Sequence, residues 1–287
     1  MSKETGADGK KPADKKSKIL FSVCLVVLIV VIVVAVGYAC KRFRKSQRDE
    51  DLTQSVTVDV SAEDDEEQEN DPEDEPDVVI PVDFEALQEV NPDIYAWIHI
   101  EDTNIDYPIL QSEADDDYYL DHTVDGDEGL PGSIYTQYSY NSGCFEDNVT
   151  VIYGHNMRDD SYFGQLSEYQ DEDFRSSHSV IEIYTPEHIY TYRLVFAITY
   201  DNSHLLAGYD CNEPDQYESL LNVLQKNRTI PTWIEDPFTV TTDDKLIILS
   251  TCNGNSNQRY LVGAVLEQID GEDAGSGESS ADEQTES

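Results

Sequence analysis

Cys252 closes an apolar run, KLIILSTC, and Arg259 follows seven residues later in NGNSNQR. A thiol attacks as its thiolate, a form favoured by a neighbouring imidazolium or other cation. His155 could supply that partner. It sits in NVTVIYGHNM, directly after a second apolar run and Gly154, a residue that lets the backbone turn sharply at a strand end. Ninety-seven residues separate His155 from Cys252, which is no obstacle if their strands are neighbours. Arg259 opens the next apolar run and can return to the same mouth. There its fixed fork of donors suits a substrate carbonyl and the oxyanion of a tetrahedral intermediate. Each residue also has an ordinary reading: a surface histidine, a cysteine serving as a small buried hydrophobe, and a solvated arginine. No Cys or His pair shows ligand spacing such as C-x₂-C or H-x₃-H, so no metal site is expected.

The charge distribution makes each late cation informative. The 287-residue chain carries a formal net charge of −42, yet eleven of its 18 basic residues fall within the first 48 positions. A region so poor in cations would be repelled by phosphate backbones, which argues against nucleic-acid binding. The early basic residues bracket Ile19 to Cys40, a run of 22 residues without a charge. At about 1.5 Å per residue it can cross a bilayer core of about 30 Å. A cleaved signal peptide would have a shorter apolar region and a small-x-small site. We therefore expect an uncleaved anchor. Six basic residues precede it and five follow, so the positive-inside rule leaves its orientation open.

The chain divides into a basic N-terminus (1–18), a transmembrane anchor (19–40), a basic-then-acidic disordered spacer (41–82), one folded domain (83–268) and an acidic disordered tail (269–287). The spacer is polar and self-repelling, with almost no aromatic content. The domain is long enough for a sizeable single core. In it, DFEALQEV sets Phe84, Leu87 and Val90 in a short amphipathic helix before NPD stops it. Eight short runs of strand character follow: YAWIHI, IDYPIL, GSIYTQY, NVTVIYG, SVIEIYT, IYTYRLVFAITY, KLIILST and YLVGAVL. With turn signals between them, they indicate an all-β barrel or sandwich. Two helical inserts interrupt, SYFGQLSEY and PDQYESLLNVLQKN. The second carries Tyr217, Leu220, Leu221 and Leu224 on one face, for packing onto the barrel. Three cysteines in the folded region are too few for a disulfide framework; Cys144 and Cys211 could pair, leaving Cys252 free.

VIYGHNM, YFGQLSEY and LSTCNGNSNQRYLV, in that order, resemble the sortases, membrane-anchored cysteine transpeptidases of Gram-positive bacteria. The resemblance is to class B. DFEALQEVNPDIYAWIHIEDTNIDYPILQ, DDDYYLDH and GSIYTQY are similar to that class's N-terminal helix and first strands. EPDQYESLLNVLQKNR is similar to the helix-bearing connection between its sixth and seventh strands. The resemblance spans about Asp83 to Glu267. It implies a mainly β fold, an eight-stranded sortase-type barrel with an N-terminal helix and helical inserts, preceded by the transmembrane helix.

The activity implied is cleavage of the Thr–X bond in a C-terminal sorting motif (NPxTx or LPxTG-like) of a secreted protein. A cysteine thioester forms, and an amine from a cell-wall precursor or a pilin resolves it. Cys252 is then the nucleophile, His155 the general acid and base, and Arg259 the support for the substrate carbonyl, with Ser250 and Thr251 lining the groove. No cofactor is implied. The resemblance also resolves the orientation, with the N-terminus cytoplasmic and the domain extracellular. The Glu235–Phe238 segment, EDPF, lies in the wrong place for a class C lid, and the acidic C-terminus holds no second span. A pilus-building role for a class B enzyme, and a non-catalytic surface binding module on the same barrel, are the alternative functions. An L,D-transpeptidase would need an S-x-G-C-like segment, which LSTCNGN does not match. The acidic loops show no spaced D-x-D-x-D-G pattern for calcium.

Overall fold

The computed structural model describes residues 78–227 and 229–274. The expected N-terminus 1–18, anchor 19–40, spacer residues 41–77 and tail residues 275–287 lie outside the described residues. Among the described residues no helix is long and apolar enough to cross a membrane.

Helix α1 (Phe84–Val90) begins where the Asp83 carboxylate accepts from the Ala86 N–H, at 3.0 Å. Phe84 and Leu87 are buried, but Val90 is exposed. Six residues at about 100° each put Val90 well off the face that Phe84 occupies. The strands are β1 (Ile94–His99), β2 (Asp106–Leu110), β3 (Ile134–Tyr135), β4 (Val149–Tyr153), β5 (Val180–Tyr184), β6 (Ile189–Asp201), β7 (Thr232–Ile234), β8 (Leu246–Cys252), β9 (Gln258–Ile269) and β10 (Glu272–Asp273). Their order is β10-β9-β8-β4-β3-β2-β1-β5-β6-β7, and a further pairing of β9 with β6 closes the ring. The closed barrel therefore has eight strands, formed by the eight runs read in the sequence. The two additions, β7 and β10, are too short to show a pattern of their own. β10 carries the fold to Asp273, past the expected boundary at 268, and Val82 is already buried at the other end.

Helical turns fill the connections. DDDYYLDH, grouped above with the first strands, holds the single helical turn α2 (Tyr118–Asp121). SYFGQLSEY yields a 3₁₀ helix, Gly164–Gln170, followed by α3 (Glu172–Ser177). Between β6 and β7 come α4 (Leu205–Gly208) and α5 (Pro214–Gln225). Proline at the first turn of α5 costs nothing there, because that N–H has no intrahelical partner.

Alternation along the strands divides the apolar residues into two cores. Ile98, Ile109, Ile134, Ile152, Ile183, Ala197, Leu249 and Val262 fill the barrel interior, together with Leu166 and Tyr169 of the 3₁₀ helix. Val149, Val151, Phe196, Ile198, Leu246, Ile248 and Leu261 face outward and are covered by Leu205 of α4 and by Tyr217, Leu220, Leu221 and Leu224 of α5. The apolar stripe of α5 thus packs on the barrel as its spacing predicts. At the seam, Gly263 lies opposite Phe196, and a Cβ on Gly263 would collide with that ring. Overpacking of this kind costs about 1–3 kcal/mol. Gly263→Ala should lower the urea midpoint of unfolding accordingly; an unchanged midpoint would show that the seam can relax.

Candidate active site

β4 and β8 run parallel, from Val149↔Leu246 to Tyr153↔Ser250, so both chains emerge at the same end of the barrel. Beyond that register, three hydrogen bonds keep them side by side. The Gly154 N–H donates to Ser250 O (3.2 Å), the Thr251 hydroxyl to Gly154 O (2.7 Å), and Asn156 Nδ2 to Cys252 O (2.6 Å). His155 and Cys252 therefore occupy adjacent strand ends. Arg259 is the direct cross-strand partner of Cys252.

The turn that returns Arg259 is built from side chains. The Asn255 N–H donates to Asn253 Oδ1 and the Asn257 N–H to Asn255 Oδ1, both at 3.0 Å. Gln258 Oε1 accepts from the Asn253 and Asn255 amides at 3.2 Å. Such Asx bonds replace backbone turn bonds, and Gly254, at φ +86°, takes the left-handed position.

The same alternation fixes which way each group points. Leu246 and Ile248 face outward, and so do Ser250 and Cys252, while Thr251 faces the opposite side. The thiol therefore lies on the outer surface of the sheet rather than inside the barrel mouth. One row across that surface reads Tyr135, Tyr153, Ser250, Leu261 and Ile198; the next reads Cys252, Arg259 and Tyr200. Cys252 is exposed and Arg259 half-buried. Arg259 forms no ion pair among the described residues; Nη1 donates to the Gln258 carbonyl at 3.2 Å. Ser250 is 5% exposed beneath Cys252, and Thr251 is 2% exposed and committed to Gly154.

His155 is held by a backbone carbonyl. Its Nε2 lies 2.8 Å from Leu120 O in α2. A carbonyl only accepts, so Nε2 carries a proton and Nδ1 is the nitrogen free to exchange one. Gly154 serves this arrangement by its size. A Cβ there would collide with Ile134 and come within 2.6 Å of Phe163, and Gly154 is not among the glycines at positive φ. The glycine is thus explained by close packing, not by the sharp turn expected above.

A second network links α4 to α2. The Ala207 N–H donates to His204 Nδ1 (3.0 Å), which places the His204 proton on Nε2. That N–H donates to Gln137 Oε1 (2.7 Å), and Gln137 Nε2 donates to Asp117 Oδ1 (3.0 Å). α4 is thereby linked to the N-cap of α2, the helical turn that holds His155. Tyr135 stacks on Tyr153 at 5.4 Å. Burial, reinforced by the Asp117 charge, keeps both phenols well above their usual range, against a smaller opposite pull from Arg259. They remain neutral hydroxyls on the outer face of the sheet.

Cys252, His155 and Arg259, the residues expected to do chemistry, lie together at this end of the barrel; Asn156, His204, Gln137, Tyr135 and Tyr153, which stand near them, were not among the expected residues. Tyr153 was within reach, since period-2 alternation sets it on the Val151 face. The Leu120 carbonyl had no signal at all, because any residue supplies one.

The family model of the sortase domain matches residues 98–267. Sortase B of Listeria monocytogenes is 35% identical over 173 residues, which make up 60% of this chain and 67% of that protein. The crystal structure of Clostridium perfringens sortase B matches with a TM-score of 0.57 at 27% identity, over 65% of this chain and 100% of that one. A Bacillus anthracis protein described as similar to sortase B matches with a TM-score of 0.60 at 30% identity, over 79% of this chain and 96% of that one. The chain belongs to the sortase family of cysteine transpeptidases. Within that family its likeness is to class B.

Cys144 and Cys211, which the sequence allowed to pair, are both free thiols, as is Cys252. Burial, with a smaller contribution from Asp210, pushes the Cys211 thiol up to about 11, so its thiolate is scarce at pH 8. Brief iodoacetamide treatment of the native chain at pH 8, followed by peptide mass mapping, should label the exposed Cys144 and Cys252 and spare Cys211. Equal labelling of all three would contradict the burial of Cys211.

Proposed function

We propose that this enzyme cleaves the Thr–X bond of a sorting motif (NPxTx or LPxTG-like) near the C-terminus of a secreted protein and joins the new acyl end to an amine of a cell-wall precursor. The placement of Cys252 directly opposite Arg259, with His155 tied alongside, carries this reading. The Cys252 thiolate attacks the scissile carbonyl carbon, and negative charge moves to the oxygen. The Arg259 guanidinium, without a carboxylate partner among the described residues, is available to that oxygen as charge develops. Collapse of the adduct breaks the C–N bond. His155, as imidazolium, gives its Nδ1 proton to the departing amine and leaves a Cys252 thioester. An incoming amine then attacks the thioester, His155 takes its surplus proton, and the thiolate departs. Nucleophile and base each act twice, so no cofactor is required.

Ser250 and the tyrosines Tyr135 and Tyr153 form the floor on which an extended motif lies. Thr251 acts on the His155 loop through Gly154. The expected topology is a single span at residues 19–40, with the N-terminus cytoplasmic and the barrel outside, where both substrates reside.

The test uses the full chain purified in detergent, with quenched fluorescent peptides bearing either motif, with and without an amine acceptor. The wild type should cleave, form a mass-detectable thioester and ligate the acceptor. Cys252→Ala should abolish all three. Arg259→Lys retains charge but loses the planar fork and should lower kcat by roughly 10²–10³-fold. Cleavage that survives in Cys252→Ala would refute the reading.

A further inference from the structure

Asn156 directly follows the histidine, is exposed, and has its carboxamide turned back onto the nucleophile strand, with Nδ2 2.6 Å from Cys252 O. Only the amide nitrogen can face a carbonyl, so the direction of this bond is fixed by chemistry. The backbone ladder between β4 and β8 ends at Tyr153↔Ser250. Past it the backbone adds one bond, from the Gly154 N–H to Ser250 O, and the Thr251 hydroxyl and the Asn156 amide supply the remaining rungs. The Thr251 rung sets the depth of the strands at Gly154. The Asn156 rung is the one that reaches the Cys252 carbonyl itself.

We infer that Asn156 is a positioning residue: its amide clamps the Cys252–Asn253 peptide plane and sets the spacing between the His155 ring and the Cys252 sulfur. This rests on the catalytic reading of those two residues. Two features of the structure make the clamp consequential. His155 is restrained on its far side by Leu120 O, so Asn156 restrains the loop on the side nearest the thiol. The peptide that follows Cys252 is planar and trans, so holding its carbonyl also orients the Asn253 N–H. That N–H makes no hydrogen bond among the described residues. The bond lies at the surface and contributes little to the fold. Displacement of reacting groups by about an ångström can nevertheless cost on the order of a hundredfold in rate.

The experiment compares wild type, Cys252→Ala, Asn156→Ala and Asn156→Asp in the full chain, from about pH 3.5 to 8, a range that spans the aspartate carboxyl, with urea melts for each variant. Asn156→Ala should lower kcat for peptide cleavage by roughly 10- to 100-fold, with KM changed by less than about twofold. The deficit should be the same, relative to wild type, at every pH. Asn156→Asp carries no donor when ionised and regains one when protonated. Its activity relative to wild type should therefore rise as pH falls through the carboxylate range, near about pH 4–5, which a merely structural loss would not reproduce. Wild-type kcat in both variants, or a deficit in Asn156→Asp that is flat with pH, would overturn the inference. If the wild type itself cleaves no better than Cys252→Ala, the catalytic reading fails separately. Hydrogen exchange at the Gly154 amide, whose N–H bonds Ser250 O beside the clamp, then reads the spacing of the two strands: faster exchange in Asn156→Ala supports the clamp, and equal exchange overturns it.

Discussion

The parallel pairing of β4 with β8 is the constraint on which the rest depends. Antiparallel neighbours would deliver His155 and Cys252 to opposite ends of the barrel. Parallel ones bring both to the same end, one strand spacing apart, although 97 residues separate them in the chain. A parallel connection needs a long crossover. Here the chain between the two strands builds the 3₁₀ helix, α3, β5, β6, α4, α5 and β7. The short turn from β8 to β9 then adds Arg259 by ordinary antiparallel pairing. Two elements of register assemble three groups, and the loops only refine them.

The refinement is polar and local. Single hydrogen bonds made by the Leu120 carbonyl, the Thr251 hydroxyl and the Asn156 amide orient the His155 imidazole, the loop that bears it and the Cys252 carbonyl. Each bond contributes modestly to stability, about 0.5–1.5 kcal/mol. Their value lies in restraining direction within a frame that the barrel already holds rigid. The linkage from His204 through Gln137 to Asp117 extends this restraint from α4 to α2. It places the helical insert and the His155 anchor in one connected set.

The legibility of these features in the sequence followed their physical basis. The eight barrel strands announced themselves because each buries one face, and burial leaves a pattern. The α5 stripe was readable for the same reason. β7 and β10 are held by neighbours and not by patterns of their own, so they were not. Val90 was placed on the wrong side of α1 because a three-residue recurrence had been extended beyond what 100° per residue allows. The convergence of Cys252, His155 and Arg259 was legible because rare chemistry stood at strand ends. Gly154 was noticed, but its reason was misread. Steric contact with Ile134 and Phe163 depends on chain segments that no local stretch reveals. The Leu120 carbonyl and the Asn156 rung exist only in three dimensions.

Alternation on β8 also has a consequence for how such an enzyme can change. Ile247, Leu249 and Thr251 serve the interior, while Ile248, Ser250 and Cys252 serve the opposite surface. Every second residue thus answers to a different demand. Substitutions at the exposed end of the outer face, around Cys252, can change what that surface presents without disturbing either core. Diversification of that exposed surface and maintenance of the scaffold are, in this architecture, separable problems.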